Sequence, residues 1–362
     1  MSLYRQNKTQ KKYTKFNKSI RSYRPTINTN LVSLKSIARP TLNNCNTVKA
    51  FKLREPLKIA VSNNKCIKFN KPEAIRILLD RLRANKHIIV ESVIPPKQID
   101  GNCWFNVMFM MFFVSDKGRR FFHFFRQFMI EGKDSTGKLI PRKLRDAFSL
   151  LNYGVELSLI GSKYAVNMNT NNIIIDIYDN IPKKYKYNQI THQQYIPDWW
   201  DAGNPIEYYN AIMRYLDVTN VSILEQYLSQ DWLLELTNTI QHQQTAGLSH
   251  LPHIIVLNGF DGLNITNKLI EFNIIINNET ITYKLDSASV LNDTHKHFSC
   301  VLTCEGREMA FDGMSKSRIV PLEWKQNINK NVNWGFEGSH HDGIQLAWNF
   351  QTCYHQLIYY RI

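Results

Sequence analysis

The stretch Gln98-Ile99-Asp100-Gly101-Asn102-Cys103-Trp104-Phe105-Asn106 decides how this chain is read. A polar turn holding one glycine ends at a cysteine, and from Cys103 to Val114 the sequence is apolar nearly all round. Such a run predicts a helix buried on every side, with Cys103 in its first turn. Unsatisfied amides and the helix dipole stabilise a thiolate at that position. A thiol nucleophile also needs a base beside it and donors for an oxyanion. Far downstream, His297-Phe298-Ser299-Cys300-Val301-Leu302 opens an apolar strand with a histidine, and Ala310-Phe311-Asp312-Gly313 closes the next strand with an acid. Only a turn at Glu305-Gly306 separates the two strands. A hairpin of that size returns both ends to one sheet edge, so His297 and Asp312 are expected as neighbours. In that arrangement His297 pairs with Cys103 and later protonates a leaving amine, while Asp312 fixes the imidazole tautomer. Gln98, five residues before the cysteine, is the candidate side-chain donor to the oxyanion. The expected catalytic set is therefore Cys103, His297, Asp312 and Gln98.

Each of these residues also has a plain structural reading. A single buried cysteine is usually an inert core residue, and a lone histidine on a strand is usually a satisfied polar group. What favours chemistry is three roles in order, each in suitable local structure. His295 is the rival base, two residues before His297 and on the same strand face. Cys300 and Cys304 do not replace Cys103, because a thiol within a strand lacks the helix terminus. A structural zinc site needs four ligands, and this Cys-x3-Cys has no second pair, so both are expected in the core. Neither a metal nor a cofactor is expected.

Outward from the quoted stretch, the pattern is helices first and strands after. Helical spacing covers Pro72 to Leu82, Arg119 to Ile130, Pro141 to about Leu151, and a helix after Gly203-Asn204-Pro205 in which Ile206, Tyr209, Ile212, Met213 and Leu216 share a face. Another helix is expected from Ser222 to Ile240. Residues 155 to 178 read as strand-rich, with Ile173-Ile174-Ile175-Asp176-Ile177-Tyr178 the clearest run, and His87 to Val90 as a short strand. From His253 onward strands are expected at 253–258, 268–277, 279–284, 288–292, 297–304, 308–312 and 354–361. The plan is α+β, with the nucleophile on the helical half and the base on the sheet half.

Charge is uneven along the 362 residues. Of the 45 Lys and Arg, 13 lie within residues 1–54, which hold no Asp or Glu; the remaining 32 face 30 acids. The basic character thus belongs to an N-terminal arm, expected to be largely irregular, that suits an acidic partner such as nucleic acid or an anionic surface. The first residues lack the apolar core of a secretory signal, and no run is long enough to span a membrane. The six cysteines show no framework spacing, so reduced thiols in an intracellular setting are expected. No oligomeric state is legible.

The residues quoted above resemble the ubiquitin-specific protease family of deubiquitinating enzymes. In that family a Gly-Asn-x-Cys-[Tyr/Trp/Phe]-x-Asn box carries the nucleophile, with Asn or Gln five residues earlier. Gly101-Asn102-Cys103-Trp104-Phe105-Asn106 follows Gln98 here, with one residue missing between Asn and Cys; that shortened form is also similar to the ovarian-tumour class. Leu251 to Asn258, Tyr283 to Ala288, His297-Phe298, Phe311-Asp312 and Ala347 to Arg361 look like the family's later strands, and Glu207-Tyr208 is similar to a Glu-Phe pair on its middle helix. The resemblance covers residues 98–115 and 250–361. It lacks the Cys-x-x-Cys pairs of a zinc-bearing finger region, and Lys296 stands where the family has a glycine before its histidine.

The resemblance implies a papain-like cysteine protease fold over residues 56–362, following the arm at 1–55. Residues 90–245 would form the mainly helical part with the nucleophile, and 246–362 the antiparallel sheet part with His and Asp. It implies a cysteine-type (iso)peptidase that cuts after the C-terminal glycine of ubiquitin or a ubiquitin-like protein. Two other functions fit the same residues: a protease that processes structural precursors, and a scaffold or virion protein whose protease-like core only binds. Abundant Asn, Ile and Lys suggest an AT-rich genome, which fits a large DNA virus acting in the host cytoplasm, or a protist.

Overall fold

The computed structural model describes residues 45–61, 65–134, 136–185, 205–218, 221–247, 251–260, 262 and 265–362. Most of the basic arm therefore lies outside the described residues. Its last part is folded. A short helix, α1 (Thr47–Phe51), buries Ala50 and Phe51 in the helical core, and Leu57 follows them. The hairpin of β1 (Lys58–Ala60) and β2 (Cys66–Lys68) comes next. The folded body thus begins before residue 55, because apolar anchors interrupt the basic run. Cys45 and Cys66 form a disulfide, which corrects the expectation of six reduced thiols.

Among the described residues seven helices build one layer: α2 (Pro72–Ala84), α3 (Cys103–Phe113), α4 (Asp116–Phe121), α5 (His123–Glu131), α6 (Arg142–Leu159), α7 (Thr170–Asn180) and α8 (Pro205–Tyr215). All eleven residues of α3 are buried, as its unbroken apolar composition requires. Ser115 ends α3 and starts α4. Its hydroxyl donates to the Met111 carbonyl (2.5 Å) and accepts from the Gly118 amide (3.2 Å). Gly118 lies inside α4. A β-carbon there would stand 2.0 Å from the Met111 carbonyl oxygen, so the tight corner requires glycine.

Residues 155–178 hold no strand, against the strand reading: the end of α6, a 3-10 helix over Lys163–Asn167 and α7 cover most of them. Asn169 caps α7 by accepting from the amides of Asn171 and Asn172, and Ile173, Ile174 and Ile177 then fall on one buried face. Capping and packing override the strand preference of the isoleucine run. His87 to Val90 likewise forms no strand, and a 3-10 turn covers Val90–Ser92.

The strands are β3 (Ile223–Tyr227), then after helix α9 (Trp232–Thr245) β4 (Ile254–Gly259), β5 (Glu271–Ile276), β6 (Glu279–Asn292), β7 (His297–Cys304), β8 (Arg307–Phe311), β9 (Ile319–Pro321), a small β10 (His340–His341) and β11 (Ile344–Gln345) pair, and β12 (Tyr354–Arg361). Among the described residues the main sheet runs β3-β4-β12-β6-β7-β8-β9, with β5 paired to the first half of β6. The expected helix over 222–240 is thus a strand followed by a helix. Because β3 pairs with β4 in parallel, the sheet is mixed and extends into the part read as helical. Alternate residues face opposite sides. Val256, Cys300, Leu302, Phe311 and Ile358 pack under the helices, while Leu257, Val301, Ala310, Leu357 and Tyr359 face a second core that includes Trp232 of α9 and Trp324, Trp334, Trp348 and Phe350. The mixture of helices and sheet is the expected α+β class.

Candidate active site

Helix α3 lies against strand β7, and the two elements are pinned at both ends. At one end the Cys103 thiol lies 4.0 Å from the Lys296 carbonyl oxygen; at the other the Cys304 thiol donates to the Val114 carbonyl (3.6 Å). Beyond that end, Arg119 of α4 reaches Glu305 in the β7–β8 turn (2.5 Å), and Asp116 accepts from the amides of Glu305 (2.8 Å) and Gly306 (2.9 Å). The first residue of a helix is thereby held beside the first residue of a strand 194 positions later.

His297 Nε2 is 2.7 Å from Asp312 Oδ1, inside a buried pocket where His297 is 4% and Asp312 0% exposed. The Cys103 thiol, 4.0 Å from the carbonyl of the adjoining Lys296, is the other group that acts on the ring. Burial opposes a charge on this ring. Asp312, through its hydrogen bond and its charge, and with it Cys103 outweigh it and push His297 up to about 9 from an ordinary 6.5. The register of β7 and β8 explains the contact: Cys300 pairs with Phe311, so Asp312, the residue just past β8, falls beside Ser299, two residues from His297. His295 is not the ring that meets Asp312. It sits in the preceding turn and packs on His341, ring centroids 5.0 Å apart.

Asp312 is held by more than histidine. Ser339 donates to Oδ2, and the Met314 amide donates to Oδ1 (3.1 Å). The indole of Trp348 donates to the His297 carbonyl (3.2 Å), and its ring lies 5.8 Å from the imidazole. Sequence reasoning missed Ser339 and Trp348. The available signal was the aromatic run Trp334, Phe336, Trp348 and Phe350, which marks 334–350 as a packed segment rather than a loop; Ser339 carried no signal of its own.

The turn before Cys103 is fixed by buried amides. The Asn102 side chain accepts from the Ile99 amide (2.9 Å) and donates to Thr170 Oγ1 (2.7 Å), which in turn donates to Asn106 (2.8 Å). Asn171 of α7 donates to the Ile99 carbonyl (2.7 Å). The isoleucine-rich segment misread as a strand thus supplies two residues that shape the nucleophile's turn. Gln98 is docked by its backbone amide on the Gly313 carbonyl (2.9 Å), but its side-chain amide donates to the Asp100 carbonyl, within its own turn. Lys296, where the resembled family has glycine, adopts φ +49°, the left-handed region that glycine enters without strain.

Cys300 and Cys304 are buried core thiols, and burial pushes both upward, Cys304 to about 12. Among the described residues no group of three or more His, Cys, Asp or Glu is placed to hold a metal ion, and no helix is long and apolar enough to cross a membrane.

No protein-family model and no curated protein sequence matches the chain. Among solved structures it is similar to a chain of the SAGA DUB module Ubp8/Sgf11/Sus1/Sgf73 bound to monoubiquitin, at 11% identity over 83% of this chain and 77% of that one, TM-score 0.42. The same module bound to ubiquitin aldehyde gives 11%, 83%, 77% and 0.43. The yeast module with a variant Sgf73 gives 12%, 75%, 69% and 0.40. At this level of similarity the site has to be understood from its own side chains.

Proposed function

We propose that this chain is a thiol hydrolase that cleaves an (iso)peptide bond after the C-terminal glycine of ubiquitin or a ubiquitin-like protein. The observation that carries the reading is the buried His297–Asp312 pair, 2.7 Å apart, beside the Cys103 thiol that heads α3 and lies 4.0 Å from the Lys296 carbonyl leading into His297. The thiolate attacks the scissile carbonyl, and the oxyanion is met by amides at the start of α3, with Gln98 joining them once its side chain leaves Asp100. Imidazolium then protonates the departing amine, leaving a thioester on Cys103. Water, deprotonated by the same ring, hydrolyses the thioester and restores the free thiol. Asp312 keeps the ring oriented and stabilises its charge throughout.

The preference for ubiquitin-like substrates rests on the sequence resemblance at residues 98–115 and 250–361. A ubiquitin probe bearing a C-terminal electrophile tests it. Adduct formation that Cys103→Ala abolishes supports the reading. An intact thiol that reacts with a small alkylating agent but not with the probe, in the absence of any cleavage of ubiquitin amides, would point to another substrate.

A further inference from the structure

A second cavity lies on the helical layer, near the end of α3 remote from Cys103. Its volume is about 530 Å³, within the range that small ligands occupy. Lys86, His87, Arg119, Arg120, His123 and Arg126 line it, with no aspartate or glutamate among its walls. Three of these have carboxylate partners behind the wall: Arg119 with Asp116 and Glu305, His87 with Glu305, and Arg126 with Glu156. Lys86 and Arg120 have no ion-pair partner among the described residues, and Arg120 is exposed. Arg119 is 5% exposed, and its Nε has no hydrogen-bond partner among the described residues. The surroundings disfavour further positive charge: burial, then Arg126, Lys86 and Arg83, push His123 below its ordinary value. Asn85 and an apolar patch complete the wall. Phe121 and Phe124 meet edge to face at 5.7 Å, and Leu82 lies near them.

We infer that this cavity binds a small phosphate ester with a planar ring, of the nucleoside monophosphate kind. The phosphate meets Lys86, Arg120 and the guanidinium of Arg119, and the ring rests on the phenylalanines. A simple anion would use only the first half of the wall, and a neutral ring only the second. The cavity is a site separate from Cys103 and His297, and its occupancy does not depend on the function proposed above.

Calorimetric titration of the full chain with adenosine 5′-monophosphate, inorganic phosphate and adenosine tests this. The nucleotide should bind at least tenfold tighter than either fragment. Lys86→Glu combined with Arg120→Glu should weaken it at least tenfold, whereas Cys103→Ala should bind as wild type does. Both charge-reversed positions are on the surface, and an unchanged melting temperature confirms that the variant folds. Phe124→Leu should reduce nucleotide binding while leaving phosphate binding unchanged. Equal binding of nucleotide and phosphate would overturn the proposal, as would nucleotide affinity indifferent to Lys86→Glu/Arg120→Glu, which would assign it to the basic arm.

Discussion

At the scale of single residues, His297 sets the behaviour of the site. Its folded value of about 9 exceeds the ordinary 6.5, so its protonation contributes stability that is fully present below about pH 6.5 and lost as pH rises through about 9. The thiolate–imidazolium pair is lost over the same alkaline range, and kcat/KM should fall there. Asp312→Asn removes an acceptor that raises the ring, so the alkaline limb should move to lower pH and kcat should drop by about 10²-fold or more. A pH–rate profile of the variant checks both effects, and an unmoved limb would show that Asp312 does not set the ring's charge. Ser339→Ala should act in the same direction but by about tenfold, since it takes one hydrogen bond from Asp312 and none from the imidazole. For Gln98→Ala, loss of an oxyanion donor predicts a fall in kcat of about 10²-fold with KM nearly constant. Retained kcat would confine Gln98 to its observed bond with Asp100.

At the scale of elements, the decisive contact is a helix start beside a strand start, and much of it was legible. The apolar run from Cys103 predicts a buried helix because no polar face is present to solvate. The strand His297–Cys304 and the closing strand Tyr354–Arg361 were read with the bounds they have, since alternation and flanking turns fix them. What failed had local signals that tertiary packing overrode. Ile173 to Tyr178 is β-prone by composition, yet Asn169 caps it as helix and the core accepts one isoleucine face. Ile223–Tyr227 was joined to the following helix because its parallel partner, β4, lies far along the chain. Ser339 and Trp348 were invisible because they come from an irregular segment whose path only the second core determines. Gly118 gives a test at this scale. Gly118→Ala drives a β-carbon against the Met111 carbonyl and the Ser115 hydroxyl, so it should cost about 2–3 kcal/mol and lower the melting temperature by several degrees. A thermally neutral Gly118→Ala would mean that the corner between α3 and α4 relaxes freely.

At the scale of the whole molecule, the sheet acts as the common wall of two cores, and the site forms where the helical layer meets its edge. The Arg119–Glu305–Asp116 cluster ties the halves together at the opposite end from Cys103, so the catalytic contact depends on docking of the layers and not on one loop. The Cys45–Cys66 disulfide fastens the N-terminal hairpin region, which contributes none of the site's side chains. Its replacement by serines should lower stability by about 2–4 kcal/mol while leaving the activity of folded protein unchanged. The basic residues before position 45 form a separate question, for which chromatography on heparin with and without residues 1–44 is informative: truncation should reduce retention and spare hydrolysis. The central claim is that Cys103 and His297 act as one chemical unit toward a ubiquitin-like C-terminus. Its most direct measurement is covalent capture by an electrophilic ubiquitin probe, compared among wild type, Cys103→Ala and His297→Ala. We predict a single adduct in wild type, none in Cys103→Ala and a rate reduced by about 10³-fold or more in His297→Ala; capture that proceeds equally in wild type and Cys103→Ala would contradict it.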